Sequence, residues 1–265
     1  MGDELADLVI RSDIGGIARI TLGASAASKG FSSEGMAAIA EVINCALDDE
    51  EIRAIVITGS GRWFCAGADV AAFSEAIEDD SIVALVENLT DTLHPLLVKM
   101  RQSSTICVAA LNGAAAGGGL GLALACDYRV CGESALLVAG FASLGLSPDG
   151  GTTWLLPRLV GDQTARRFIL ENSRWKAAEA LAEGAVDEVV ANEELLDRAH
   201  AVAAEWSKWS HHTREATKHL IEVQSTQDFA THLRHEQVLI MAASASEGFR
   251  EGVNSFLEKR QPDFK

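Results

Sequence analysis

The 265-residue chain carries 38 acidic against 22 basic residues, a formal net charge of −16 at pH 7, and 48% of it is hydrophobic. That composition supports one large core, a principal domain with an appendage rather than two independent domains, and its charge repels a phosphate backbone, which argues against nucleic acid as a partner. No apolar run reaches the roughly 18 residues that span a bilayer, and Met1-Gly2-Asp3-Glu4 lacks the cationic start of a secretory signal, so a cytoplasmic globule, neither exported nor inserted in a membrane, is expected. The cysteines, Cys45, Cys65, Cys107, Cys126 and Cys131, are odd in number and show no Cys-x-x-Cys spacing. Reduced, mostly buried thiols are expected, with no disulfide framework and no metal site.

Along the chain, Leu8-Val9-Ile10 and Ile17 to Leu22 flank Asp13-Ile14-Gly15-Gly16 and predict a β-hairpin. Ser32-Ser33-Glu34 opens a helix whose apolar residues Met36, Ile39, Ala40, Ile43 and Leu47 follow the 3.6-residue period. Ala54 to Gly59 reads as a fully buried strand, Ile82 to Met100 as a helix and Ile106 to Ala110 as a second buried strand. Gly117 to Ala125 follows as a small-residue helix, then a short strand around Tyr128-Arg129-Val130. Strand-helix alternation predicts an α/β core over residues 1–191. From Asn192 to 265 the pattern is helical without strands, at Glu193 to Lys208, Arg214 to Val223 and Phe229 to Ala243, and predicts a helical appendage.

Two glycine-rich turns are the candidates for chemistry. Gly61 to Asp69 follows a buried strand and holds small residues where a ligand can approach the backbone, although an ordinary strand-to-helix turn reads the same way. Gly117-Gly118-Gly119 stands at a helix entrance, where free N–H groups and the positive end of the helix dipole suit an anion or a developing oxyanion. Close packing of helix on sheet would also select small residues there. No Gly-Lys-Ser/Thr follows, so this is not a P-loop, and Gly-x-Gly-x-x-Gly spacing is absent.

Phe64-Cys65-Ala66-Gly67-Ala68-Asp69 and Asn112-Gly113 to Gly117-Gly118-Gly119 resemble the two oxyanion-hole motifs of the enoyl-CoA hydratase/isomerase (crotonase) family. Ala123 to Arg129, Leu144 to Thr152, Gly248 to Gly252 and Phe256 to Arg260 extend the resemblance over nearly the whole chain. It implies a crotonase-like ββα spiral core with a C-terminal helical trimerisation region, and an acyl-CoA substrate with no further cofactor. It also implies thioester binding by the N–H groups of Ala68 and Gly118, with Ala66, Gly67, Asp69 and Gly117 around them. Phe256 and Lys259 are implied to reach the CoA nucleotide, usually across a subunit boundary of a homotrimer or homohexamer.

The chain departs from the family's hydratases at both of their glutamates. The motif register puts Gly121 at one position and Phe141 at the other, and neither transfers a proton. Asp149, in Ser147-Pro148-Asp149-Gly150-Gly151, stands where some family isomerases carry their base, although Pro-Asp-Gly is also a turn whose Asp can cap the helix opening near Thr152. The resemblance implies isomerisation of a 3-enoyl to a 2-enoyl thioester, with Asp149 as base and Phe141 beside the substrate. Three readings stay open beside it: a hydratase, a family dehalogenase with Asp149 as nucleophile, and a non-catalytic acyl-CoA binder. Asp69 and Asp127 read as structural, and Trp63, Phe64 and Phe73 as acyl-pocket lining or core. Glu75, Glu78, Asp79 and Asp80 read as a solvated face. His94, before Pro95 in a helical pattern, reads as a packed or surface histidine and is not counted as a base.

Overall fold

A computed structural model describes residues 8–264, so the reading of Met1–Glu4 and the outer ends of both predicted units lie outside the described residues. The chain opens with β1 (Val9–Ile14) and β2 (Ile17–Leu22), paired antiparallel around Gly15 and Gly16. Both glycines have positive φ, +60° and +78°, the geometry a tight two-residue hairpin turn demands. A short helix α1 (Ala24–Ser28) leads to α2 (Ser33–Leu47), whose Ser32 side chain accepts from the Gly35 N–H as the sequence pattern requires.

The chain then deals strands alternately into two sheets. β3 (Ala54–Thr58), β5 (Ile106–Leu111), β7 (Tyr128–Gly132) and β10 (Glu188–Val190) join the hairpin in a six-stranded sheet of order β1-β2-β3-β5-β7-β10, parallel from β2 onward. β4 (Trp63–Cys65), β6 (Ala114–Ala116), β8 (Leu136–Val138) and β9 (Arg174–Lys176) form a second sheet in that order. Successive turns of the spiral are β3-β4, β5-β6 and β7-β8, each followed by helix. After β4 come α3 (Val70–Glu78) and α4 (Ile82–Gln102), after β6 comes α5 (Gly118–Ala125), and after β8 come α6 (Thr152–Val160) and α7 (Asp162–Leu170). α8 (Ala177–Ala182) links β9 to β10. The predicted alternation is therefore present, but each of the second sheet's strands is three residues long, too short to show a period in sequence.

β3 and β5 are buried at every position because both faces of their sheet are covered. Ile55, Ile57, Cys107 and Ala109 point into a core shared with Met36, Ile39 and Ile43 of α2 and Leu93, Leu96 and Met100 of α4. The alternate residues Ala54, Val56, Ile106, Val108 and Ala110 meet Leu195, Ala199, Val202 and Ala203 of α9 (Leu195–Ser207). α9 thus closes one face of the sheet, so the helical tract that begins at Asn192 gives its first long helix to the core. The appendage proper is α10 (His211–Val223), α11 (Phe229–Ser244) and α12 (Glu247–Glu258). Among the described residues no helix is long and apolar enough to cross a membrane.

Candidate active site

The ends of β4 and β6 bring the two glycine-rich turns together. Asn112, just after β5, staples them: its Oδ1 accepts from the Gly59 N–H at 2.8 Å, and its Nδ2 donates to the carbonyls of Gly61 and Trp63, each at 3.1 Å. Gly67, at φ +78°, approaches the second turn so closely that a methyl group there would lie 2.5 Å from the Ala116 carbonyl oxygen and 3.4 Å from the Gly118 amide nitrogen. Gly118 is the first residue of α5, and a Cβ on it would strike the Phe31 ring at 2.1 Å. Phe31, on the segment bridged to Ala68, is a buried wall of this junction that no sequence motif marked.

Among the described residues the N–H groups of Ala68 and Gly118 donate to no protein acceptor. Gly117 needs a conformation ordinary residues avoid, φ +53° and ψ −125°, to start α5 with its own carbonyl accepting from Leu120 and Gly121. Two free backbone donors on touching turns, one at a helix N-terminus, form a place for a developing oxyanion.

Asp149 lies on the turn that sits on this helix. A Cβ on Gly150 would be 3.3 Å from the Gly118 Cα, and one on Gly121 would be 2.2 Å from the Gly150 carbonyl oxygen. The expected alternative role for the Asp149 side chain, capping α6, is not what the structure shows: Gly151 is the N-cap, without a side-chain cap bond. It is the Asp149 main-chain carbonyl that accepts from Thr152, from N at 3.3 Å and Oγ1 at 2.9 Å. The carboxylate turns to α4, where Oδ1 accepts from His94 Nε2 at 2.7 Å. His94, expected as a packed or surface histidine, is half exposed and makes a contact that its sequence position did not signal, since the only trace there was one ring at one position of a helix.

The remaining predicted residues separate by role. The Ala66 N–H donates to Ala27 at 2.8 Å and supports the first turn. Asp69 caps α3, its Oδ1 accepting from Ala71 at 3.0 Å and Ala72 at 3.4 Å, with Lys29 Nζ 3.8 Å from Oδ2. The carboxylate thus fixes its own turn, in keeping with the structural reading of Asp69. Phe141 is buried with its ring 3.9 Å from where a Gly117 side chain would begin. Phe64 is fully buried core, while Trp63 and Phe73 are partly buried and pack against that core. Phe256 is 82% exposed on α12 and lines a separate cleft with Phe264, Ser210 and Gly252, in which neither glycine turn takes part. Lys259 ends α12 in a left-handed conformation, φ +55°. Asp127 is structural, accepting from the Cys107 N–H at 2.8 Å and from Lys218 at 2.9 Å.

The sequence model of the enoyl-CoA hydratase/isomerase family matches residues 13–265. The chain belongs to the enoyl-CoA hydratase/isomerase family. It is 33% identical to the 1,2-epoxyphenylacetyl-CoA isomerase of Escherichia coli strain K12 over 251 residues, 94% of this chain and 95% of that one. It is 32% identical to the 2,3-dehydroadipyl-CoA hydratase of the same organism over 246 residues, 93% and 94% of the two chains. Family members bearing both activities in their names are thus equally near. The solved structure of an enoyl-CoA hydratase from Polaromonas sp. JS666 superimposes with a TM-score of 0.89 at 29% identity, covering 97% of this chain and 99% of that one. The enoyl-CoA hydratase/isomerase chain described here has the crotonase fold, with its α/β spiral and helical C-terminal region as expected.

Proposed function

We propose that the protein binds an acyl-CoA thioester with its carbonyl oxygen between the N–H groups of Ala68 and Gly118 and isomerises a 3-enoyl to a 2-enoyl thioester. Asp149 takes the proton from C2, the electron pair is held as the enolate, and the same carboxyl returns the proton to C4, moving the double bond from C3–C4 to C2–C3. One base suffices, and coenzyme A enters and leaves as part of the substrate. The observation that carries this reading is the Asp149 turn seated on the first turn of α5, with glycine and phenylalanine at positions 121 and 141. Each oxyanion donor is worth about 2.7–4 kcal/mol and a positioned base roughly 10²–10⁴-fold. Exposed apolar side chains of the appendage, Phe229, Ile240, Met241 and Phe256 among them, support assembly into a homotrimer or homohexamer that would carry Phe256 and Lys259 to the nucleotide of a bound CoA.

A second reading, hydration of a 2-enoyl thioester, draws on the His94–Asp149 contact, since the two side chains together could handle a water molecule. Incubating the protein separately with 3-enoyl-CoA and with 2-enoyl-CoA in water separates them. Isomerisation without hydration supports the first reading; hydration as the faster reaction rejects it. Asp149→Ala is expected to abolish isomerisation while a CoA ester still binds. A covalent acyl-enzyme trapped on Asp149 would replace the proton shuttle with nucleophilic chemistry.

A further inference from the structure

The base proposed above sits on a turn, and something must choose its rotamer. The Pro148-Asp149-Gly150-Gly151 turn contains two left-handed glycines, φ +61° and +72°, and the Asp149 carboxylate takes no part in capping the helix that follows. Its one hydrogen bond among the described residues comes from His94, whose Nε2–H donates to Oδ1 at 2.7 Å across 55 residues of chain. Among the described residues Oδ2 has no protein donor. His94 belongs to a rigid element: its neighbours Leu93, Leu96 and Leu97 are buried in the core, and α4 packs against α5, which carries the Gly118 N–H.

We infer that His94 is the positioning residue of the proton transfer, fixing Oδ1 of Asp149 so that Oδ2 is the oxygen presented to substrate. The carboxylate is thereby referenced to the same helix pair that holds the oxyanion donor, rather than to its own glycine-rich turn. Because the carboxylate accepts at Nε2, the proton on that nitrogen is committed to the anchor, and the shuttle of a single proton between C2 and C4 stays with the carboxyl group. The two side chains are 50% and 39% exposed, so the contact adds little to stability and its effect falls on turnover.

This inference rests on the reading of Asp149 as the base, and three single variants and one double variant keep the two apart when assayed with 3-enoyl-CoA. His94→Ala is expected to lower kcat by about 10- to 100-fold, the scale of a misplaced catalytic group, with KM and the thermal midpoint little changed. His94→Gln, which keeps an N–H donor near the ε position but carries no titrating proton, is expected to recover most of that loss. Asp149→Asn is expected to be inactive, and adding His94→Ala to it to cost nothing more. An unchanged kcat in His94→Ala, beside an inactive Asp149→Asn, overturns the positioning role and leaves the base assignment standing. Equal loss in His94→Gln and His94→Ala also overturns it, making the ring itself an acid or base. Turnover retained in Asp149→Asn overturns both readings.

Discussion

The Cα of Gly121 is pressed against the Gly150 carbonyl: a methyl group at position 121 would sit 2.2 Å from that oxygen. The absence of a glutamate at 121 is therefore more than a lost acid, because the backbone carrying Asp149 fills the space any side chain there would need. Gly121→Glu is expected not to confer hydration of 2-enoyl-CoA, and, on the isomerase reading proposed above, Gly121→Ala is expected to lower kcat on 3-enoyl-CoA by about 100-fold by displacing the Asp149 turn. Overpacking of this kind costs about 1–3 kcal/mol of stability. Assays on both substrates, with a denaturant midpoint for each variant, check this; a hydratase gained by Gly121→Glu would show that the turn can yield.

Asn112 holds the two glycine-rich turns in register through Gly59, Gly61 and Trp63. Asn112→Ala removes the acceptor of a part-buried N–H and the donor to two carbonyls. A loss of about 1–3 kcal/mol is expected for the unsatisfied groups, together with reduced turnover from a loosened oxyanion pair. Equilibrium unfolding and kcat measured on the same preparation test it, and a variant as stable and active as the parent would deny Asn112 that role.

What the sequence made legible follows the length scale of each feature. β3 and β5 showed as continuous apolar runs because both faces are buried, and the helix of Ser33–Leu47 showed through its cap and period. The glycine turns stood out because only glycine tolerates the φ of residues 67 and 117 and the approach at 118. The second sheet stayed hidden in three-residue strands, and α9 resembles the appendage helices in pattern while facing the sheet. The His94–Asp149 pair joins residues on separate elements, and Phe31 matters only through what Gly118 lacks; neither relation leaves a local trace.

Lys218 ties the appendage to the core from α10, donating to the carbonyls of Met100 and Thr105 and to Asp127 Oδ2, each at 2.9 Å. Both charged side chains are 10% exposed, so the pair is effectively interior. Lys218→Met leaves the Asp127 carboxylate uncompensated and is expected to destabilise by about 3–5 kcal/mol. Adding Asp127→Asn should return part of that loss, since the stranded charge is then gone. Denaturant unfolding of the two single variants and the double variant closes the cycle; additive losses would mean the pair is not coupled.

The thiols give the protein an alkaline limit. Burial pushes Cys65 up to about 11 and Cys107 and Cys131 up to about 12, and raises Cys126 as well, whereas an unfolded thiol titrates near 9. A group whose folded pKa is raised keeps its proton in the folded chain while the unfolded chain loses it. Its contribution is therefore whole below pH 9 and declines as pH rises from 9 toward 11 or 12, by up to about 1.4 kcal/mol per unit for each buried thiol. The denaturant midpoint is expected to fall between pH 9 and pH 11, less steeply in Cys107→Ala. At pH 8 a thiol reagent should modify Cys45 alone in the native protein and all five cysteines after denaturation. Rapid native labelling of Cys65, which lies beneath the first glycine-rich turn, would mean that this turn opens far more readily than its packing against Gly119 allows.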